Sequence, residues 1–283
     1  MKSLLNAKIF QIFIYIALFI GILLPCKAYG LDASIGATTW CAWMDQEYSK
    51  GVVSTNPSDT ENKNPGILFG PALSVKFNDD FNITLVYLYG EFNIKETYPD
   101  VPSIPYFDYT LKRHDADLAL NYRLNDFFKV FGGIKLMNFS IRSDKHDAVG
   151  ADIDGAIFKR DRFSIGPSVG VSASLPLIEN LFILGHLSGF VLLNKETSEY
   201  IDMAGPRSII HLEPGGNDYG FNSGLSLAYY IAPVSTTISL GGRFQYIKTN
   251  YSSGRDSFHG SYYDHDTSMF YGVTLTATYS FAI

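Results

Sequence analysis

Three short stretches of this 283-residue chain carry residue types that could do acid–base chemistry. His114 is followed by Asp115 and Asp117, and Asp264-His265-Asp266 sets one imidazole between two carboxylates. Asp152-Ile153-Asp154 repeats the Asp-x-Asp spacing without a histidine. Two carboxylates can hold a water that a His–Asp pair activates as general base. Asp-x-Asp also arises easily by chance, and solvated loop charge is the better account of all three. Asp256, His259, Asp264 and His265 could surround a metal, but their spacing matches no standard ligand motif, so no cofactor is expected. Gly215-Gly216 and Gly241-Gly242 lack the strand-to-helix setting of a phosphate-binding loop.

A second set of ionisable residues is organised by alternation. Arg113, Asp115, Asp117, Asn121 and Arg123 fall on one side of a period-two stretch. Ala116, Leu118, Leu120, Tyr122 and Leu124 form its other side. Lys129 and Lys135 likewise oppose Phe128, Val130, Ile134 and Leu136. Only a strand separates residues in this way. Placing Leu124 opposite Phe128 across the Asn125-Asp126 turn sets Asp117 opposite Lys135 and Arg123 opposite Lys129, because opposed residues share a face. An Asp117–Lys135 ion pair is therefore expected, with Asp115 nearby.

The elements that position these residues repeat the same pattern. Met269, Tyr271, Val273, Leu275, Ala277, Tyr279, Phe281 and Ile283 alternate with small or polar residues, Phe270 being the exception. Cleanly alternating stretches also cover 162–175, 221–231, 234–246 and 67–77, whereas 35–44, 81–94 and 181–194 alternate less regularly. Short turns fall at Asn78-Asp79-Asp80, Asn125-Asp126, Pro176 to Asn180 and Ala232-Pro233. Longer polar segments fall near 45–66, 95–112, 142–160, 195–219 and 248–267. Four short turns and five long loops join about ten strands, with both termini on the short-turn side.

Composition and ends narrow the class. The chain is 46% hydrophobic and 15% aromatic but only 18% charged, a balance that favours strands over helices. Its net charge of −6 gives no footprint for nucleic acid. Met1 to Gly30 has two early lysines, an apolar run over Ile9 to Leu24, and small residues at Ala28 and Gly30, the layout of a secretory signal peptide. An uncleaved anchor is the rival reading. With Leu31 as first mature residue, only Cys41 remains and no intramolecular disulfide can form. The alternation alone would permit a soluble sandwich. Long strands, Tyr and Phe near strand ends, and a polar face of Gly, Ser and Thr with few Lys and Glu favour a closed barrel in a membrane.

The leader, the strands and the last strand, ending Tyr279-Ser280-Phe281-Ala282-Ile283, resemble the bacterial outer-membrane β-barrel proteins across the whole mature chain. The resemblance implies an all-β, single antiparallel transmembrane barrel over residues 31–283, after a signal peptide at 1–30. It also implies contact with outer-membrane lipid and with the barrel assembly machinery, which in that family reads a final Phe where this chain has Ile283. Long loops would lie outside the cell and both mature termini in the periplasm.

The expected lumen is polar and largely filled by side chains, with a charge network of Arg113, Asp115, Asp117, Arg123, Lys129, Lys135 and Arg243. The expected role is structural or surface-interacting, the Tyr-rich last loop (Tyr251, Tyr262, Tyr263) offering contact area to an extracellular ligand. A narrow passive channel is the first alternative. The second is a surface protease resembling the ten-stranded omptins, with His114 or His265 in the catalytic pair, although no flanking omptin motif surrounds either.

Overall fold

A computed structural model describes residues 32–48, 59–61, 65–97, 106–146, 158–202, 208–212, 215–256 and 262–282. The signal peptide read over 1–30 lies outside the described residues, as do Asp152, Asp154 and His259. The strands are β1 (Asp32–Tyr48), β2 (Asp59–Glu61), β3 (Gly66–Lys76), β4 (Phe81–Thr97), β5 (Tyr106–Arg123) and β6 (Phe128–His146). They continue as β7 (Phe158–Ile178), β8 (Leu181–Asp202), β9 (Ser208–Leu212), β10 (Gly215–Ile231), β11 (Thr236–Asp256) and β12 (Tyr262–Ala282). All pairings are antiparallel, and β1 joins both β12 and β3 while β10 joins both β8 and β11. Ten strands thus close on themselves, with β2 and β9 as short additions on β4 and β8. Closure leaves no unpaired edge for lipid to satisfy.

Short turns set the register. The Asn78 side-chain carbonyl accepts the backbone N–H groups of Asp80 and Phe81 at 2.9 and 2.8 Å, and Asn125 does the same for Phe127 and Phe128, both at 2.9 Å. This local bonding supplies partners that a two-stranded turn otherwise lacks. The third turn is tighter than expected: β7 runs on to Ile178 with a register shift after Pro176, and Asn180 takes φ 64°. At the fourth, Ser235 adopts a left-handed φ of 47° after a single 3-10 turn. Within the first turn, the hydrogen bond from Lys76 (2.8 Å) holds the Asp79 carboxyl below the usual carboxylate range.

Several strands run further into the long polar segments than their sequence pattern indicates: β5 starts at Tyr106, β6 ends at His146, β8 at Asp202 and β11 at Asp256. A reversal of polarity along the strands explains this. From the short turns up to a level marked by Tyr89, Ile134, Ile165, Leu193, Tyr219 and Tyr271, outward residues are mostly apolar and inward ones are mostly Ser, Thr, Gly and Asn. On β12 this stretch runs from Phe281 to Tyr271, close to the roughly 9–11 residues a tilted spanning strand needs.

Beyond that level the outward residues become Asp45, Glu91, Lys112, Asn138, Asp161, Lys195 and Lys248. The inward ones there become a buried cluster that includes Met44, Phe92, Leu111, Phe139, Ile141, Leu192, Ile247 and Phe270. The barrel is therefore inside-out where lipid covers it and built like a water-soluble barrel where lipid does not.

Candidate functional site

The inward ionisable residues gather where the two regimes meet. Asp117 and Lys135 are register partners on β5 and β6, and the Lys135 ammonium lies 3.0 Å from both Asp117 oxygens. It lies closer still, at 2.5 Å, to Asp115 Oδ1, while Asp115 Oδ2 accepts from Arg113 Nη2 at 2.7 Å. Arg243 reaches in from β11, 3.6 Å from Asp115 and 3.9 Å from Asp117. Three cations and two carboxylates therefore share one site. Asp115, Arg113 and Lys135 have side chains no more than 1% exposed. Buried charges persist only when paired, and each of these three is.

Aromatic rings complete the layer. The Arg113 guanidinium carbon lies 4.1 Å from the Phe270 ring centroid, 5.3 Å from Trp40 and 5.5 Å from Phe139. Its Nη2 also donates to the Gln245 side-chain carbonyl, while Nε and Nη1 find no hydrogen-bond acceptor and rest among ring faces. Such cation–π contact is worth most where water is excluded. Arg243 is similarly set, 4.6 Å from the Trp40 ring. Trp40, Leu68, Arg113, Lys135, Leu192 and Gln245 are wholly buried at this level.

A second polar cluster sits beyond the first, towards the long-loop end. Arg160 Nη2 lies 2.6 Å from Glu196 and 3.2 Å from Asp266, and also donates to the Tyr251 hydroxyl. Arg162 Nη1 donates to Thr249 at 2.8 Å and stands 3.5 Å from Asp266 Oδ1. Asp218 accepts from Ser164, Asn194 and Thr249 at 2.5–2.8 Å. Asp266 and Tyr251 stand out in the sequence, but as a catalytic candidate and a loop contact residue; the cluster itself is not visible there, because its members come from five strands. Their one signal was a charged residue on the inward parity of a strand, as at Arg160, Glu196 and Asp266.

The remaining sequence candidates are placed elsewhere. Arg123 pairs with Asp126 in its own turn, and Lys129 is exposed within the lumen near the short turns. Both stand apart from the buried layer. His114 and Asp115 point to opposite faces of β5. The imidazole lies outside the barrel, where its Nδ1 is hydrogen-bonded to the Tyr87 hydroxyl at 2.7 Å, and Asp115 lies inside. His265 and Asp266 are divided in the same way on β12, with His265 exposed and Asp266 buried against arginines. Neither neighbouring His–Asp pair forms a dyad, because successive strand residues point to opposite faces. The side chains of Asp256 and Asp264 lie outside the described residues. Among the described residues no group of three or more His, Cys, Asp or Glu could hold a metal.

No protein-family model and no curated protein matches this chain. Solved structures do resemble it. The outer membrane protease OmpT from Escherichia coli superposes with a TM-score of 0.56 at 11% identity, over 89% of this chain and 97% of that one. A major outer membrane protein from Thermus thermophilus gives 0.40 at 12% identity, over 90% of this chain and 100% of the other. The translocator domain of the autotransporter NalP from Neisseria meningitidis gives 0.36 at 10% identity, over 97% and 96%. The chain has the fold of the bacterial outer-membrane β-barrels, and at these identities the likeness concerns the fold alone.

Proposed function

We propose that the protein is a closed outer-membrane barrel whose role is structural or surface-interacting, carried by its long-loop end rather than by passage through its lumen. One observation carries this reading. The layer formed by Arg113, Lys135, Asp115, Trp40 and Phe270 fills the lumen with side chains that expose almost nothing. A pore needs a wetted path, and this layer is packed as a protein interior is. Beyond the lipid-facing band, the apolar cluster and the Arg160–Glu196–Asp266 network stiffen the projecting sheet, which suits it to hold loops outward. Outer-membrane lipid would cover the apolar band, the loops would face the exterior, and both ends of the mature chain would lie in the periplasm.

The narrow-channel alternative is disfavoured by the same layer. The protease reading suggested by the E. coli neighbour would need residues other than the His114 and His265 pairs. Conductance in a planar bilayer tests the proposal. Folded, heat-modifiable protein should give no unitary steps, and reproducible steps from such protein would sink it.

A further inference from the structure

The blocked layer leaves a one-ended vestibule on the short-turn side. Its walls are inward hydroxyls and glycines, among them Ser74, Thr84, Ser172, Ser226, Ser239 and Thr276, all half-exposed to the space they line. Across it runs one register row: Lys129 opposes Ser172, Ser172 opposes His186, His186 opposes Gly224, and Gly224 opposes Arg243. Opposed residues share a face, so Lys129, His186 and Arg243 all enter this space. Gly224 matters here, because a Cβ at that position would run into the His186 ring. Gly272, the other register partner of Arg243, likewise adds no side chain beside it.

No residue in this row is an anion. Among the described residues, neither Lys129 nor His186 has an ion-pair or hydrogen-bond partner. Arg243 meets Asp115 and Asp117 only at 3.6 and 3.9 Å, too far for hydrogen bonds. Its Nε has no acceptor but is fully buried, so an entering group can reach only the 13% of the side chain that stays exposed. A guanidinium left short of acceptors in a partly desolvated site is costly unless something fills the gap. The layer above does not offset it, since Arg113, Lys135 and Arg243 outnumber Asp115 and Asp117 by one charge.

We infer that the vestibule is a binding site for a small oxyanion, a carboxylate or phosphate group entering from the short-turn end. Arg243 is its principal donor, the His186 ring flanks it, and Lys129 draws it in. The inference goes beyond the closed barrel and does not depend on the role of the loops.

Trp40 supplies the readout, because its ring lies 4.6 Å from the Arg243 guanidinium. The chain has two tryptophans, so Trp43→Phe leaves Trp40 as the single indole. Folded W43F barrel is titrated with inorganic phosphate, and in parallel with chloride, at constant ionic strength. Phosphate should change Trp40 emission saturably and chloride should not. Arg243→Gln should weaken the response by about tenfold or more, as expected for loss of a charge-assisted bond. Lys129→Gln, at an exposed residue without a partner to lose, should weaken it by about threefold. The site is overturned if W43F barrel shows no saturable change, if chloride matches phosphate, or if K129Q and R243Q both titrate like their parent. Should R243Q fail to fold, K129Q alone decides. Unitary conductance would refute the closed barrel and leave this result standing.

Discussion

Lys135 and Asp115 form a 2.5 Å ion pair in which neither side chain is more than 1% exposed. Asp115 is the carboxylate paired with the buried Arg113, and removing it strands that cation, so Asp115→Asn should cost about 3–5 kcal/mol. Asp117→Asn should cost about 1 kcal/mol or less, because Asp117 is 32% exposed and Lys135 keeps Asp115. Urea unfolding from lipid vesicles, followed by tryptophan emission, measures both. Equal costs would mean that Asp115 is not the central anion of the layer.

The polarity reversal makes a second prediction from two outward positions. Leu225 on β10 lies in the apolar band and is 65% exposed, while Asn138 on β6 lies just beyond it. Arginine at a lipid-facing position near mid-membrane costs about 2–4 kcal/mol, and near the interface about 0–1. Leu225→Arg should therefore destabilise strongly in vesicles and Asn138→Arg hardly at all. If both substitutions cost the same, the band boundary is misplaced.

The contrast between these two positions also shows what the sequence could reveal. Strand order, faces and the opposition of Asp117 to Lys135 follow from period-two alternation plus one turn, both local properties. The apolar interior beyond the band was harder to see, because it weakens the alternation it should be read from. The stretches that alternate poorly, 35–44, 81–94 and 181–194, are those that turn Trp40, Met44, Leu88, Phe92, Phe190 and Leu192 inward. Phe270, the exception in an otherwise regular last strand, is the centre of the aromatic layer. The irregularities were the signal for the core. The Arg160–Asp266 contact joins residues 106 apart in sequence, so no local pattern could have disclosed it.

The Lys76–Asp79 hydrogen bond at the first turn gives a pH-dependent prediction. A carboxyl whose folded-state value is depressed contributes stability at neutral pH, and that contribution is lost as pH falls through the lowered value. The Asp79 carboxyl carbon should titrate in NMR at a lower midpoint than an unperturbed aspartate. In Lys76→Met it should return to the ordinary range. An unchanged midpoint would remove Lys76 as the cause.

Asn125 offers a simpler test of the turns. Its side-chain carbonyl serves two backbone N–H groups, so Asn125→Ala leaves both to water at the tip of the β5–β6 hairpin. The expected loss is about 1 kcal/mol, the net worth of such bonds where solvent can replace them. Asn125→Asp keeps the acceptor and should recover most of it. Vesicle unfolding compares the two variants directly, and an Asp variant as weak as the Ala one would rule out the hydrogen bonds as the reason for asparagine there.

Phe139 links the two charged layers, because the guanidinium carbons of Arg162 and Arg113 lie 4.8 and 5.5 Å from its ring centroid. Phe139→Leu keeps an apolar side chain but withdraws the ring face from two buried cations. Each contact is worth roughly 0.5–2 kcal/mol, with the upper end applying away from water. The loss should therefore exceed that of Phe190→Leu, whose ring faces one cation among the described residues, the Lys135 ammonium at 5.6 Å. The mechanism can be separated from simple loss of volume by a double-mutant cycle. If the ring face matters, Phe139→Leu should cost less once Arg113 has been changed to Met, and less again when Arg162→Met is added, because contacting residues are not additive. If the cost stays constant across those backgrounds, Phe139 acts only as filler and the two layers are energetically separate.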